Sequence, residues 1–199
     1  RERGAGRIVN IASIGGKLPL PHMLPYCCAK FAMVALSEGL GVELAKDGIS
    51  VTTVIPGLVR TGSQTNAFYR GDAAKEWSWF TLSGANPLLS ISAERAARRI
   101  VQATRRGEAE VMLSWPAHLL TRVHGVAPGL NTRLMALTNR FLPGAPPAAA
   151  GRTRGMEIAT PLSPSPATAL MNRAARELNQ YAGHPSPSPE HAARAHVPE

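Results

Sequence analysis

Ile8-Val9-Asn10-Ile11-Ala12-Ser13 is the stretch that decides how this chain is read. A short, mostly apolar run closed by a hydroxyl reads as a buried strand, 8–12, of a parallel sheet. A serine at such a strand end points into the crevice where open α/β sheets bind ligands. Thirteen residues later, Tyr26-Cys27-Cys28-Ala29-Lys30 opens a stretch that reads as helix to Lys46. Positions 26 and 30 are one helical turn apart and share a face. Ile49-Ser50-Val51-Thr52-Thr53-Val54-Ile55 is a second strand, rich in β-branched residues. Pro56-Gly57 ends it with a turn signal, and roughly 109–113 gives a third strand.

The three side chains suit one piece of chemistry. A free tyrosine has a pKa of about 10 and is a poor base at neutral pH. A fixed positive charge nearby favours the phenolate, and Lys30 is placed to supply one. Tyr26 can then give a proton to a carbonyl oxygen or take one from an alcohol. The Ser13 hydroxyl can hydrogen-bond the same oxygen as it gains charge. Tyr-x-x-x-Lys alone is a weak pattern that also describes an aromatic and a solvated lysine on a surface helix; the flanking strands give it weight.

Gly6-Arg7-Ile8-Val9-Asn10-Ile11-Ala12-Ser13, then Tyr26-Cys27-Cys28-Ala29-Lys30, then Val54-Ile55-Pro56-Gly57-Leu58-Val59-Arg60-Thr61 resemble the second half of a short-chain dehydrogenase/reductase. The resemblance is specific to about Leu113 and weaker to about Pro143. The Ser13–Tyr26 spacing matches the compact oxidoreductase branch. The resemblance implies the C-terminal part of a Rossmann-type, doubly wound parallel α/β sheet and an NAD or NADP cofactor. It implies Tyr26 as general acid/base, Lys30 as its electrostatic partner and a ligand of the nicotinamide ribose, and Ser13 as the group that positions substrate. It places Pro56, Gly57, Val59 and Thr61 beside the nicotinamide. The hydride belongs to the cofactor; the protein supplies position and charge.

The family's glycine-rich phosphate-binding fingerprint, which sets the pyrophosphate on a helix N-terminus, occurs nowhere in these 199 residues. The acidic or basic residue that separates NAD from NADP and the family's catalytic asparagine are absent too. The chain opens at Arg1 rather than Met. The expectation is the C-terminal portion of a longer protein, unable by itself to bind dinucleotide tightly or turn over.

A net charge of +9 raises a nucleic-acid reading. The basic residues are dispersed, however, and at 5% aromatic content there is no basic–aromatic stacking pattern. Nucleic acid is therefore not an expected partner. Cys27 and Cys28 are adjacent on a helix, which suits neither an intrachain disulfide nor a cysteine zinc site. Both read as buried, reduced packing residues, which points to the cytoplasm. The six histidines lack metal-ligand spacing, and no metal is expected. His22 reads as a loop residue.

Three segments are expected: 1–114 as the catalytic part, 115–143 as an amphipathic helical extension, and 144–199 as a Pro-rich, mostly disordered tail. On the long helix, Met33, Leu36, Leu40 and Leu44 form an apolar stripe, widened by Phe31, Val34 and Ala35, that packs on the sheet or meets another subunit. In the family this helix often meets another subunit, so a homo-oligomer is expected. Phe68, Tyr69, Trp77, Trp79 and Phe80 read either as a wall for an apolar alcohol or ketone substrate or as core packing. Ser92 with Glu94 opens a further helix. Segments 115–142, broken at Pro128-Gly129, either cover the active site or a subunit surface or, less favoured, lie on a membrane with Arg122, Arg133 and Arg140 toward headgroups. Ten of the 17 prolines fall from Pro143 onward, with one short helix expected at about 167–181. The rival functions are a catalytically silent scaffold that keeps the fold and a membrane-surface protein.

Overall fold

The structure is a computed structural model that describes residues 1–144, 151–158, 160 and 165–181. In chain order its elements are β1 (Gly6–Ile11), α1 (Leu24–Leu44), β2 (Ile49–Ile55), β3 (Leu58–Arg60), β4 (Phe68–Arg70), α2 (Ala73–Ala85) and β5 (Ser90–Ser92). There follow α3 (Ala93–Arg106), β6 (Glu110–Met112), α4 (Trp115–Val126), α5 (Pro128–Asn139), β7 (Arg152–Arg154) and α6 (Ala169–Glu177). The chain divides into two compact units, one of Arg1–Leu58 with Ala93–Arg140 and one of Val59–Ser92 with the residues from Phe141 onward.

The first unit is an α/β layer built on a parallel sheet in the order β1-β2-β6. Gly6 is paired with Ile49 and Ile11 with Val54; on the other side of β2, Thr53 is paired with Glu110. Strand alternation sends neighbouring side chains to opposite faces, and each face acquires its own helix. Ile55 packs with Ala12 and Val34 of α1. Val54 packs with Val111 and with Ala103 of α3. Both are fully buried, and a buried aliphatic side chain contributes about 1.5–3 kcal/mol. Among the described residues β1 is paired on one edge only, and Ile8 and Ile11 are exposed.

α1 meets the sheet along a row that takes Val34 and Leu44 from the expected stripe and leaves most of the rest of it outside. Its buried residues are Cys27, Val34, Ser37 and Leu44, whereas Met33 and Leu36 are exposed. The reason lies in Ser37. Its hydroxyl, 1% exposed, accepts hydrogen bonds from Asn10 Nδ2 at 2.9 Å and Thr53 Oγ1 at 2.7 Å. A small polar residue thus sits at the centre of the sheet-facing row, where apolar periodicity does not look. Burying Cys27 also turns Cys28 outward, so only one of the two cysteines is a packing residue. Gly48 closes the helical run in the left-handed conformation (φ 68°), as its position predicts.

The second unit holds two small sheets, β3 with β5 and antiparallel β4 with β7. α6 lies against α2, with Met171 buried against Gly84. Gly62 has φ 77°, and a Cβ there would stand 2.3 Å from Ala175 Cα, so only glycine permits this approach. Asn66 donates to the Gln180 carbonyl at 3.0 Å and accepts from Arg154 at 2.9 Å. The Arg152 guanidinium lies 4.8 Å from the Phe68 ring centroid, within cation–π range.

The helix expected at about 167–181 is α6; it and residues 152–154, a built strand within the tail expected to be mostly disordered, belong with 59–92. They are held by a close backbone approach and by polar side chains, neither of which shows in composition. Residues 145–150, 159, 161–164 and 182–199 of the expected tail lie outside the described residues. The aromatic group divides: Trp77 is core, whereas Phe68 and Trp79 are exposed.

Candidate active site

The site begins where β1 ends. Ser13 has extended backbone and caps the 3-10 turn Ile14–Gly16, its Oγ accepting the Gly15 N–H at 3.1 Å. The Ile14 N–H donates to the Pro56 carbonyl at 2.8 Å, so the turn after β2 is tied to the turn after β1. Both turns lie at the C-terminal ends of parallel strands, where α/β sheets place ligands.

α1 starts with Leu24-Pro25, the proline in the first turn where its missing N–H costs no helical hydrogen bond. Tyr26 and Lys30 follow on the same side. Two glycines let this helix press on the turn after Ser13. A Cβ on Gly15 would stand 3.1 Å from Tyr26 Cε1, and a Cβ on Gly16 2.6 Å from the Lys30 carbonyl oxygen. Ser13 is thus followed at once by backbone in contact with the first two turns of α1. The Leu20 N–H, donating to Cys27 Sγ at 3.3 Å, closes the loop between them.

Lys30 Nζ donates to the Ile11 carbonyl at 3.0 Å and lies 5.8 Å from the Tyr26 ring centroid. The ammonium is held between the last residue of β1 and the aromatic ring. Tyr26 is 39% exposed, and its ring reaches solvent. Ser13 is buried. Its oxygen accepts from backbone, which leaves its own O–H to donate.

Behind the turn, Lys17 bridges Glu38 of α1 at 2.7 Å and Glu110 of β6 at 2.6 Å. Burial alone would lower the Lys17 pKa. Hydrogen bonds to Glu110 and Glu38 outweigh it and hold the ammonium above its ordinary value.

The expected cofactor contacts are split between the units. Pro56 and Gly57 stand with Ser13, Tyr26 and Lys30 in the first; Val59 in β3 and Thr61 belong to the second. Thr61 Oγ1 accepts the Ser63 N–H at 3.3 Å. A Cβ on Gly57 would meet Ser114 Oγ at 2.4 Å. Ser114 is buried and its hydroxyl has no partner among the described residues. Sequence reading missed Ser114, and it missed the supporting role of Gly15-Gly16, although a glycine pair two residues after the strand-end serine was a visible signal. Among the described residues no group of three or more His, Cys, Asp or Glu is placed to hold a metal ion.

A family model described as short chain dehydrogenase matches residues 1–70, the span that carries Ser13, Tyr26 and Lys30. Over these residues the chain is similar to the short-chain dehydrogenase/reductase family. Among its relatives, "Dehydrogenase/reductase SDR family protein 7-like" of Anopheles gambiae is 35% identical over 131 residues, covering 61% of this chain and 39% of that protein. A short-chain dehydrogenase structure from Streptomyces avermitilis superposes with a TM-score of 0.51 at 28% identity, over 70% of this chain and 54% of the other. One from Burkholderia cenocepacia, solved in complex with NADP, gives 0.50 at 21% identity, over 66% and 47%, a likeness of fold alone. The chain spans less than half the length of the curated relatives it matches.

Proposed function

We propose that this chain carries the catalytic residues of an NAD(P)-dependent oxidoreductase that interconverts an alcohol and a carbonyl. The supporting observation is the Lys30 ammonium, held on the Ile11 carbonyl beside the Tyr26 ring, at the strand end that leads into Ser13. The bound nicotinamide dinucleotide, NAD or NADP, supplies or accepts the hydride.

The residues present suit the nicotinamide end of such a cofactor. Lys30 offers an ammonium to a ribose hydroxyl, and the Pro56-Gly57 turn is pinned beside Ile14. No residue of this chain forms the glycine-rich loop for the pyrophosphate, so tight dinucleotide binding requires residues beyond these 199. Val59 and Thr61 are assigned to the cofactor on the family pattern.

In reduction, Tyr26 gives its hydroxyl proton to the carbonyl oxygen as charge develops there. Lys30 favours the phenolate that remains. Ser13 donates its O–H to the same oxygen and holds it in place, worth about 2.7–4 kcal/mol by analogy with a single oxyanion donor. In oxidation the same groups run in reverse. Trp79, exposed on α2, is assigned to an apolar substrate. The outward row of α1, including Phe31 and Leu36, is assigned to a homo-oligomer contact.

The test uses the full-length enzyme with Ser13→Ala and Lys30→Ala. Each lowers kcat by about 10²–10³, in the range for one lost donor, and Lys30→Ala also weakens cofactor binding. Wild-type rates in both variants would remove Ser13 and Lys30 from the mechanism, and a wild-type protein with no turnover would leave a catalytically silent scaffold.

A further inference from the structure

The helical pair after β6 carries a surface that the proposed chemistry does not use. On α4, Trp115, Leu119 and Val126 are exposed, Val126 at 87%. Their spacing, i, i+4 and i+11, puts them on one face. On α5, Leu130, Leu134 and Leu137 repeat the pattern at i, i+4 and i+7 and are exposed as well. The opposite sides of the two helices meet each other: Asn131, fully buried, is hydrogen-bonded to His124 at 3.3 Å. α4 is seated on the first unit through Ala117, which is fully buried. The apolar rows are thus a consequence of how the hairpin packs, and exposed apolar rows of this kind mark interaction sites.

Charge identifies the occupant. From Val111 to Met156 the chain contains no Asp or Glu. Arg122 lies within the α4 row, Arg133 follows Leu130 by one turn, and Arg140 follows Leu137 by one turn; all three are exposed. None forms an ion pair among the described residues. An apolar face with Trp and Leu, edged by arginines alone, has the composition of a helix that lies in the headgroup region of an anionic bilayer. Long arginine stems let the apolar row sink while the guanidinium groups stay at phosphate level.

We propose that α4 and α5 dock this protein on an anionic lipid surface, lying on the membrane rather than crossing it. Among the described residues no helix is long and apolar enough to span a bilayer. Attraction to the leaflet falls off within a Debye length, so the contact depends on salt.

The experiment is flotation of the purified full chain with phosphatidylcholine vesicles, with and without phosphatidylserine. The protein floats with the mixed vesicles at low salt, and stays down at high salt or with phosphatidylcholine alone. Each of Arg122→Gln, Arg133→Gln and Arg140→Gln lowers partitioning about fivefold, the effect of one cation near the surface. Leu119→Glu with Leu134→Glu abolishes flotation while the thermal melt is unchanged. Independently, indole emission shifts blue on adding mixed vesicles, and Trp115→Phe removes the shift. Failure to float with anionic vesicles overturns the proposal, as does flotation that ignores both the arginines and the apolar rows. If the glutamate pair instead dissolves an oligomer of a protein that never floats, the rows are an interface between copies.

Discussion

The junction of β1 with α1 and the α4–α5 hairpin use apolar residues in opposite ways. At the junction, Val34 and Ala12 are buried, and two glycines let backbone and ring approach to van der Waals contact. In the hairpin, Ala117 and Asn131 are buried while a tryptophan and five leucines or valines in regular rows stay exposed. Burial stabilises the fold only where the side chain leaves water. The first region is therefore shaped by folding, and the second by what it meets outside the unit.

Substitutions sharpen that contrast. Ile55→Ala, at the centre of the face under α1, should cost about 2–5 kcal/mol by thermal or urea unfolding. Gly16→Ala forces a methyl against the Lys30 carbonyl and should cost about 1–3 kcal/mol. It should also lower activity, because the same contact seats Tyr26 and Lys30. A stable and fully active Gly16→Ala protein would remove the glycine pair from the account.

Ser37→Ala leaves the Asn10 and Thr53 donors without their acceptor and should cost about 1–3 kcal/mol. Leu119→Ser and Leu134→Ser should change stability by no more than about 0.5 kcal/mol; a loss comparable to that of Ile55→Ala would mean the hairpin is core after all. The smallest effect is that of Glu108, whose carboxyl a hydrogen bond from Arg99 holds below its ordinary value against an opposing effect of desolvation. The ionised form stabilises the fold above the usual carboxylate range, and that contribution disappears as pH falls through it. Glu108→Gln should therefore flatten the acid limb of the Tm–pH curve slightly.

Much of the first unit was legible beforehand. β-branched runs marked β1 and β2, Pro128 marked the break between α4 and α5, and Gly48 marked the end of the long helix. What was hidden followed from contacts without periodicity. The sheet-facing row of α1 runs through Ser37 and shares only Val34 and Leu44 with the apolar stripe. The short helix expected at about 167–181 is α6, but its attachment and that of 152–154 to the second unit rest on Gly62 against Ala175 and on Asn66, contacts that composition does not show. At the site, residue types and spacing pointed to Ser13, Tyr26 and Lys30, while Gly15-Gly16 and Ser114 emerged only from how closely backbones approach.

Tyr26→Phe in the full-length protein tests the central claim most directly, since it removes one oxygen and keeps the ring that contacts Gly15. The account predicts a kcat lower by about 10²–10⁴, the usual contribution of a positioned acid or base, with cofactor affinity and thermal stability retained. A phenylalanine variant that turns over at the wild-type rate would contradict it.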